Sequence, residues 1–430
     1  MGKERSIKKY MIEQSEYSLR REKLLEKMDD DSMLILFAGQ GRKKSGDENY
    51  PFQVNRNFYY LTGIRQENSA LMMVKADGEN QTFLFIDPKD EKVEKWLGIK
   101  LSTDEAYQIS GINNVLMRGN LASKIDVALK DMTFFGEIKK VYLDLEKELK
   151  IEECTSTNDF AKMLKNNYPS IEIDDIHDKM SLLRMIKSKA EVEMIKEAIH
   201  TTEIGLKNVL KELAAGRFEY NMRNVFEFNV FEDMDAGLAF DSIVAGGKNA
   251  TILHYPDAKD VLHSGDLVLL DVGASRDYYC ADISRTYPIS GTFNKLQRTI
   301  YQIVLDCNKQ TSKFMKPGVT LKECQEFARN LLADECVEHG LLEKKEDIDR
   351  VYFHGVSHHL GLDTHDESIR SLPLQEGNVI TCEPGLYFKE HGIGVRIEDD
   401  ILITKDGSEV LSKDIIKEVS DIERFLISKI

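Results

Sequence analysis

The chain has 430 residues, 42% of them hydrophobic and 31% charged, which suits a globular protein large enough for two domains. Its formal net charge of −16 opposes binding to phosphate backbones and anionic lipid, so we expect no nucleic-acid and no membrane partner. We also find no apolar run of membrane-spanning length, no signal-peptide core at the charged N-terminus and no CxxC pair among the six cysteines. These features predict a cytoplasmic protein.

Short apolar runs alternate with helical stretches in the first part of the chain, from about residue 32 to residue 175. Such runs, bounded by polar segments, are typical of strands in a small α/β layer structure. The predicted strands are MLILFAG (33–39), ALMMVKA (70–76), TFLFID (82–87) and KVYLDL (140–145). We therefore predict an N-terminal α/β domain over residues 1–175.

The pattern changes near residue 176, where we place the start of a second domain, residues 176–430. Ser188 and Glu191 stand at capping-box spacing before a long helical periodicity, which predicts a helix start. Thr320 and Glu323 repeat this signal before another apolar stripe.

Two β-hairpins are predicted between and after these helices, so the fold class of the whole chain is α+β. Each hairpin joins two runs rich in apolar and β-branched residues. The paired segments are 266–273 with 278–289, and 378–388 with 394–404.

Four carboxylates fall within or at the ends of these predicted strands: Asp271, Asp282, Glu383 and Glu398. A carboxylate in a buried strand is costly unless a cation or a metal ion compensates it. Side chains two residues apart in a strand share a face, so Arg396 and Glu398 are expected to point the same way. One alternative is that each carboxylate is separately paired with a lysine or an arginine.

Histidines cluster in the segment HGVSHHLGLDTHD, residues 354–366, which holds four of the ten in the chain: His354, His358, His359 and His365. His254, in ILHYP, is a further candidate. Four carboxylates and one imidazole, that of His358, form an oxygen-rich set that suits Mn²⁺, Mg²⁺ or Co²⁺, with Zn²⁺ as an alternative. The carboxylates carry a charge of −4, which two divalent cations would neutralise.

At these residues the sequence closely resembles the pita-bread metallopeptidases, specifically their Xaa-Pro aminopeptidase (aminopeptidase P) group. The resemblance covers nearly the whole chain and includes the motifs around the four carboxylates. The matching segments are NRNFYYLTGI (55–64), RMIKSKAEVEMIKEA (184–198), LLDVG, ADISRTYP, HGVSHHLGLDTHD, EPGLY and GVRIEDDILIT (394–404). It implies an aminopeptidase P-like N-terminal domain followed by a pita-bread catalytic domain.

The resemblance also implies a ligand arrangement for two metal ions. Asp271 would chelate one ion, and His358 together with Glu383 would bind the other. Asp282 and Glu398 would bridge the two ions. Mn²⁺ is the expected metal, with Co²⁺ or Zn²⁺ as alternatives.

Substrate roles follow from the same resemblance. His254 and His365 would hydrogen-bond the substrate carbonyl, and Glu383 would carry a proton to the departing proline nitrogen. The implied substrate-binding residues are His354, Tyr387 and Arg396. His359 and the loop ESIRSLPLQ after THD depart from the family's pattern, so the shape of the substrate pocket stays open.

The implied function is a dinuclear-metal aminopeptidase that releases the N-terminal residue from peptides with proline at the second position. The resemblance further implies a homo-oligomer, a dimer or a tetramer, and Trp96 resembles a position that reaches a neighbouring subunit. A tryptophan in the core is the alternative. One alternative is a prolidase restricted to Xaa-Pro dipeptides. Another is a metal-free peptide-binding or chaperone module on the same fold.

Overall fold

The computed structural model describes residues 12–145 and 155–429. Residues 1–11 and 146–154, which include one of the six cysteines, Cys154, lie outside this range. The chain divides into two compact units, Met1–Leu183 and Arg184–Ile430. The domain boundary placed after residue 175 stays a prediction of the sequence.

A six-stranded mixed sheet forms the centre of the first unit. The strands of this unit are β1 Ser32–Phe37, β2 Lys43–Ser45, β3 Glu48–Asn49, β4 Ala70–Ala76, β5 Glu79–Ile86, β6 Asn114–Met117, β7 Lys140–Leu143 and β8 Glu172–Asp175. Its helices are α1 Gln14–Lys27, α2 Arg56–Thr62, α3 Glu91–Leu97, α4 Thr103–Ser110, α5 Leu121–Lys130, α6 Met132–Phe135, α7 Ser156–Asn167 and α8 His177–Arg184. The sheet order is β6-β5-β4-β1-β7-β8.

Burial explains which of these strands the sequence revealed. The four predicted strands are confirmed as β1, β4, β5 and β7. The first two are buried along nearly their whole length, which accounts for their unbroken apolar runs. Strands β6 and β8 were not predicted because they form the two edges of the sheet and are largely polar or half-exposed.

The second unit contains several small antiparallel sheets and long helices. Its helices are α9 Lys189–Glu212, α10 Glu219–Phe231, α11 Lys295–Phe314, α12 Leu321–Glu338 and α13 Val419–Ser428. Its strands are β9 Ala236–Leu238, β10 Ile243–Gly246, β11 Leu267–Val272, β12 Ala274–Arg276, β13 Tyr279–Cys280, β14 Ile283–Pro288, β15 Val379–Cys382, β16 Gly385–Phe388, β17 Ile393–Arg396, β18 Asp399–Ile403 and β19 Ser408–Val410. In the described part of the chain, no helix is long and apolar enough to cross a bilayer.

Both predicted helix starts are confirmed. Ser188 caps α9 and Thr320 caps α12, each through a capping box with the glutamate three residues later. Each box satisfies two backbone N–H groups that would otherwise lack partners at the helix end.

The first predicted hairpin is present but interrupted. Strand β11 pairs antiparallel with β14, and Asp271 lies opposite Ser284. The prediction of one continuous strand over 278–289 was wrong, because the chain breaks at Ala281 and Asp282 between β13 and β14. There the N–H of Asp282 donates to a carboxylate oxygen of Asp400 at 3.2 Å instead of joining the strand ladder.

The second hairpin is interrupted in the same way. Strand β15 pairs with β18 and β16 pairs with β17, so both arms break between their two halves. The breaks fall at Glu383-Pro384 and at Ile397-Glu398, and Pro384 has no N–H with which to continue a ladder. Glu398 therefore lies between two strands, whereas the sequence had indicated a position inside a strand. The two glutamates occupy the points where the strands bend.

Close packing beside the first break predicts a sensitivity to one added methyl group. A Cβ on Gly273 would lie 1.9 Å from the carbonyl oxygen of Ala281, whereas one on Gly407 would meet nothing within 4 Å. We expect Gly273→Ala to destabilise the second unit by about 3 kcal/mol, the upper end of typical overpacking costs. Urea unfolding measures this loss. Equal stability of Gly273→Ala and the control Gly407→Ala would contradict the packing described.

Candidate metal centre and substrate cavities

Ligand atoms from three separate segments converge in the second unit. One atom each from Asp282, His358 and Glu398 lies within 4.8 Å of the others. The Nε2 of His358 is 3.4 Å from Asp282 Oδ2 and 3.6 Å from Glu383 Oε1. Asp282 and Glu398 are only 5% and 2% exposed. This spacing allows one cation to contact several of these side chains at once.

Asp271 joins the cluster through Ser284 and Arg396. The Ser284 hydroxyl lies 3.1 Å from Asp271 Oδ1 and 2.8 Å from Glu398 Oε2. Arg396 donates from Nη2 to Asp271 Oδ2 at 2.6 Å and from Nε to the same Ser284 hydroxyl at 2.7 Å. Arg396 and Glu398 thus reach a common partner from one side, as predicted.

The alternative to a metal site was that each of the four carboxylates is paired with its own lysine or arginine. In the described part of the chain, one of the four has such a partner. Asp271 is paired with Arg396. Among the described residues, Asp282, Glu383 and Glu398 form no ion pair with a lysine or an arginine. The described contacts therefore favour a shared cation site over four independent salt bridges.

Burial and mutual repulsion raise the pKa values of three carboxyl groups in the cluster. Burial, and then the nearby carboxylate of Asp271, raise the pKa of Asp282 well above its usual range. Burial and the charge of Asp282 do the same to the pKa of Glu398. Burial raises the pKa of Glu383 to about 7. These carboxylates cannot all be ionised unless cations compensate them, so the donor set fits divalent metal ions.

A backbone contact orients His358 for metal binding. Its Nδ1 is 3.0 Å from the carbonyl oxygen of His359, so Nδ1 carries the hydrogen. The lone pair of Nε2 is then directed at Asp282 and Glu383. A hydrogen bond of this kind on the other ring nitrogen is typical of histidines that bind metals.

Three predicted substrate residues form a hydrogen-bonded row. The Tyr387 hydroxyl accepts from Arg396 Nη1 at 3.0 Å and donates to His354 Nε2 at 2.9 Å. His354 Nδ1 donates to the carbonyl oxygen of Gly355 at 2.8 Å. Burial, and then Arg396, lower the pKa of His354 to about 4, which agrees with a neutral ring. In this row each hydrogen bond is therefore donated in the same direction, from the guanidinium of Arg396 towards the imidazole of His354.

Two cavities meet at the cluster. They share the lining residues His254, Asp271, Asp282 and His365. The larger has a volume of about 720 Å³ and extends to α10 and to the segment before β10. The smaller, of about 520 Å³, includes His354, His358, Glu383, Arg396 and Glu398.

His254 and His365 occupy the junction of these cavities. The ring of His365 lies 4.1 Å from that of His358, measured between centroids. Burial, and then His358, lower the pKa of His365 to about 4, so its ring is neutral. Both histidines are accessible from either cavity, where a substrate crossing the cluster would pass.

A buried ionic group that the sequence did not predict holds the His365 loop. Asp366 accepts from Arg184 at 2.5 Å and from Lys187 at 2.9 Å. Although burial opposes it, these two cations lower the pKa of Asp366 to about 2. The N–H of Asp366 donates to the same His359 carbonyl that orients His358. Arg184 and Lys187 belong to the segment RMIKSK, which the sequence analysis identified only as matching the family. That match was the one sequence signal that could have pointed to this ionic group.

His359, which departs from the family's pattern, is in the core. Its side chain is 2% exposed, and its backbone forms an isolated bridge with Ile380. Burial lowers the pKa of its imidazole to about 3. This departure therefore affects the packing beneath the site and not the described cavity walls.

Asn308 is a second residue that the sequence did not reveal. From α11, its fully buried amide donates to the carbonyl oxygens of Cys382 at 2.9 Å and Ile397 at 3.2 Å. These residues immediately precede Glu383 and Glu398. The amide oxygen accepts from Lys417 at 2.8 Å. One side chain thus ties together the two strand breaks that present the glutamates.

Comparisons with known proteins agree with this geometry. Residues 193–405 match metallopeptidase family M24, and residues 17–135 match the aminopeptidase P N-terminal domain. An Xaa-Pro aminopeptidase from Haemophilus influenzae is 31% identical, with 96% of this chain and 98% of that protein covered. A Bacillus anthracis structure described as an aminopeptidase P is 43% identical, covers 97% and 99% of the two chains and has a TM-score of 0.95. Escherichia coli aminopeptidase P with the inhibitor Pro-Leu is 28% identical, covers 97% and 99%, and has a TM-score of 0.88.

The chain therefore belongs to metallopeptidase family M24, in its Xaa-Pro aminopeptidase (aminopeptidase P) group. The predicted fold, an aminopeptidase P N-terminal domain followed by a pita-bread domain, is confirmed, as is the assignment to the metal-dependent hydrolases. The relatives give no support to a metal-free peptide-binding or chaperone module.

The position of Asn308 predicts an effect on metal binding. We expect Asn308→Leu to weaken binding of divalent metal about 10- to 100-fold, because both glutamate-bearing breaks lose their common tether. Titration calorimetry with Mn²⁺ measures the affinity. The control is Thr311→Val, a buried position on the same helix whose hydroxyl contacts Cys307 and, among the described residues, forms no hydrogen bond to either break. Equal metal affinity in both variants would refute the positioning role of Asn308.

Proposed function

We propose that the protein binds two divalent cations at this cluster and hydrolyses the peptide bond that precedes proline. The observation that carries the proposal is the convergence of Asp282, His358 and Glu398 on one small volume, at the junction of two cavities. Family membership supports peptide substrates and metal dependence.

We assign the metal ligands as the sequence predicts. Asp271 would hold one ion, His358 and Glu383 the other, and Asp282 and Glu398 both. Two divalent cations would offset the four carboxylate charges. Mn²⁺ suits this oxygen-rich set, with Co²⁺ or Zn²⁺ as alternatives. The existence of a zinc-substituted form of the E. coli relative supports the zinc alternative.

When bound, the metal ions would lower the pKa of a water molecule and polarise the substrate carbonyl. The side chains then have distinct tasks. His254 and His365, at the junction of the cavities, would donate N–H groups to the carbonyl oxygen and hold it in place. Glu383 faces His358 through one oxygen, at 3.6 Å, and His354 through the other, at 3.7 Å. It can therefore pass a proton towards a leaving nitrogen in the smaller cavity.

Proline recognition would depend on shape, since the bond before proline has no N–H to bind. The ring of His354 supplies an aromatic wall of the smaller cavity and is held in place by Tyr387, which Arg396 anchors. A flat ring surface with its polar atoms already paired suits a pyrrolidine ring better than a flexible polar side chain.

The neighbouring histidines His358 and His365 should respond differently to substitution. We expect His365→Ala to retain its metal ions but to lose at least about 100-fold in kcat, because a donor to the carbonyl is removed. His358→Ala, the matched comparison, should lose metal as well as turnover. Elemental analysis alongside kinetics separates these outcomes. If His365→Ala lost as much metal as His358→Ala, His365 would be a ligand.

A second candidate function, the prolidase, is favoured by one observation. Arg370 and Lys322 line the smaller cavity, as Glu383 does, and could bind the free carboxylate of a C-terminal proline. The inhibitor Pro-Leu on the E. coli relative supports the aminopeptidase instead, since it carries a residue beyond proline. We therefore retain the aminopeptidase as the first proposal.

Substrate length distinguishes the two functions. We expect Leu-Pro-Ala to be cleaved with a kcat/KM at least equal to that of Leu-Pro, with free leucine as the first product. The open smaller cavity, of about 520 Å³, has room for a residue after proline. Kinetics with mass spectrometry of the products provide the measurement. Cleavage of the dipeptide alone would assign a prolidase on the same metal centre.

We also propose a cytoplasmic location and a homo-oligomer, either a dimer or a tetramer. Trp96 on α3 supports the assembly, because it is 88% exposed. A large aromatic side chain in water is a frequent component of protein interfaces.

A further inference from the structure

The larger cavity extends beyond the metal centre to charged side chains that the proposed chemistry does not use. Arg223 and Glu227 lie one turn apart on α10, and Asp241, in the segment before β10, lines the same cavity. Among the described residues, no side chain of these three has a hydrogen-bond or ion-pair partner. Charged groups that line a cavity unpaired are available to a ligand.

Ser242 is an independent sign that this cavity binds a polar ligand. The residue is only 7% exposed and lines the cavity. Its hydroxyl is buried and has no hydrogen-bond partner among the described residues. Leaving such a group unpaired is costly, so a bound molecule that satisfies it gains a hydrogen bond. Ser242 precedes Ile243, whose cross-strand neighbour is Asp271, and so it adjoins the metal centre.

The direction of the substrate follows from the proposed function, on which this inference rests. Glu383, the proton carrier to the leaving nitrogen, lines only the smaller cavity, as do His354 and Arg396. Proline and the residues after it would therefore occupy that side. The first residue of the substrate would then occupy the larger cavity, which Ser242 lines.

Charge and not size must decide which first residue fits best. A volume of about 720 Å³ exceeds that of any single side chain. Two acids and one base, Glu227, Asp241 and Arg223, leave the far end with a net charge of −1. Phe240 and Pro256 provide apolar walls along which an aliphatic stem can pack. We infer that the larger cavity is a subsite for a cationic first residue, lysine or arginine, bound between Glu227 and Asp241.

The test compares lysine with norleucine, which has a similar stem but no charge. We expect the kcat/KM of Lys-Pro-Ala to exceed that of norleucine-Pro-Ala by about fivefold, the effect of a half-exposed ion pair. Glu227→Gln and Asp241→Asn should each reduce this ratio, and Arg223→Gln should raise it. Glu232→Gln, on the residue that follows α10 and outside the cavity lining, is the matched control and should keep the wild-type ratio.

The outcomes are distinct because each ratio is taken within one variant. A wild-type ratio near one, or a ratio unchanged by Glu227→Gln and Asp241→Asn, would overturn the cationic subsite. Cleavage of norleucine-Pro-Ala would leave the proposed function intact in that case. Failure to cleave either peptide would overturn the proposed function itself, and the subsite with it.

Discussion

The mutual repulsion of buried carboxylates is the constraint that shapes the second unit. Asp282, Glu383 and Glu398 lie close together and are largely buried where the two cavities meet, and burial raises the pKa of each. Such a group is stable only if it takes up protons or binds cations. Much of the surrounding structure can be understood as a means of holding these oxygens in place against their repulsion.

The backbone meets this constraint by interrupting its strands. Asp282, Glu383 and Glu398 all lie at breaks between paired segments, where the side chain can turn out of the sheet. The backbone groups that leave the strand ladders form hydrogen bonds elsewhere. The N–H of Glu398 donates to the carbonyl oxygen of Ser284 at 3.0 Å, and the N–H of Glu383 donates to the carbonyl oxygen of Val356 at 2.9 Å. The breaks therefore carry little loss of hydrogen bonding.

Side chains from distant segments stabilise these breaks. Asn308, from α11, bonds to the residue before each glutamate, and Asp366 joins the His365 loop to Arg184 and Lys187. Through the carbonyl of His359, the second contact also orients His358. Loss of either set of hydrogen bonds would change the positions of the proposed metal ligands, although neither Asn308 nor Asp366 is itself a proposed ligand.

The sequence predicted those parts of the structure that have a local signal. The capping boxes at Ser188 and Thr320 and the apolar strands β1 and β4 depend on residues close together in the chain, and they are confirmed.

The break after Glu383 had a local signal, since Pro384 and Gly385 follow it. The breaks at Asp282 and Glu398 could not be predicted, because apolar residues continue up to them through Ala281 and Ile397. The role of Asn308 was equally hidden, since its partners are 74 and 89 residues away. The five candidate ligands were proposed from resemblance and context, and the structure places His358 beside Asp282 and Glu383.

The most direct test of this account is to count metal ions. The protein would be stripped with a chelator, checked by elemental analysis and titrated with Mn²⁺ in a calorimeter, with hydrolysis of an Xaa-Pro peptide followed on the same samples. The carboxylate charges predict two ions bound for each chain and activity that returns as they bind. A stoichiometry of one, or full turnover by the metal-free protein, would contradict the dinuclear centre.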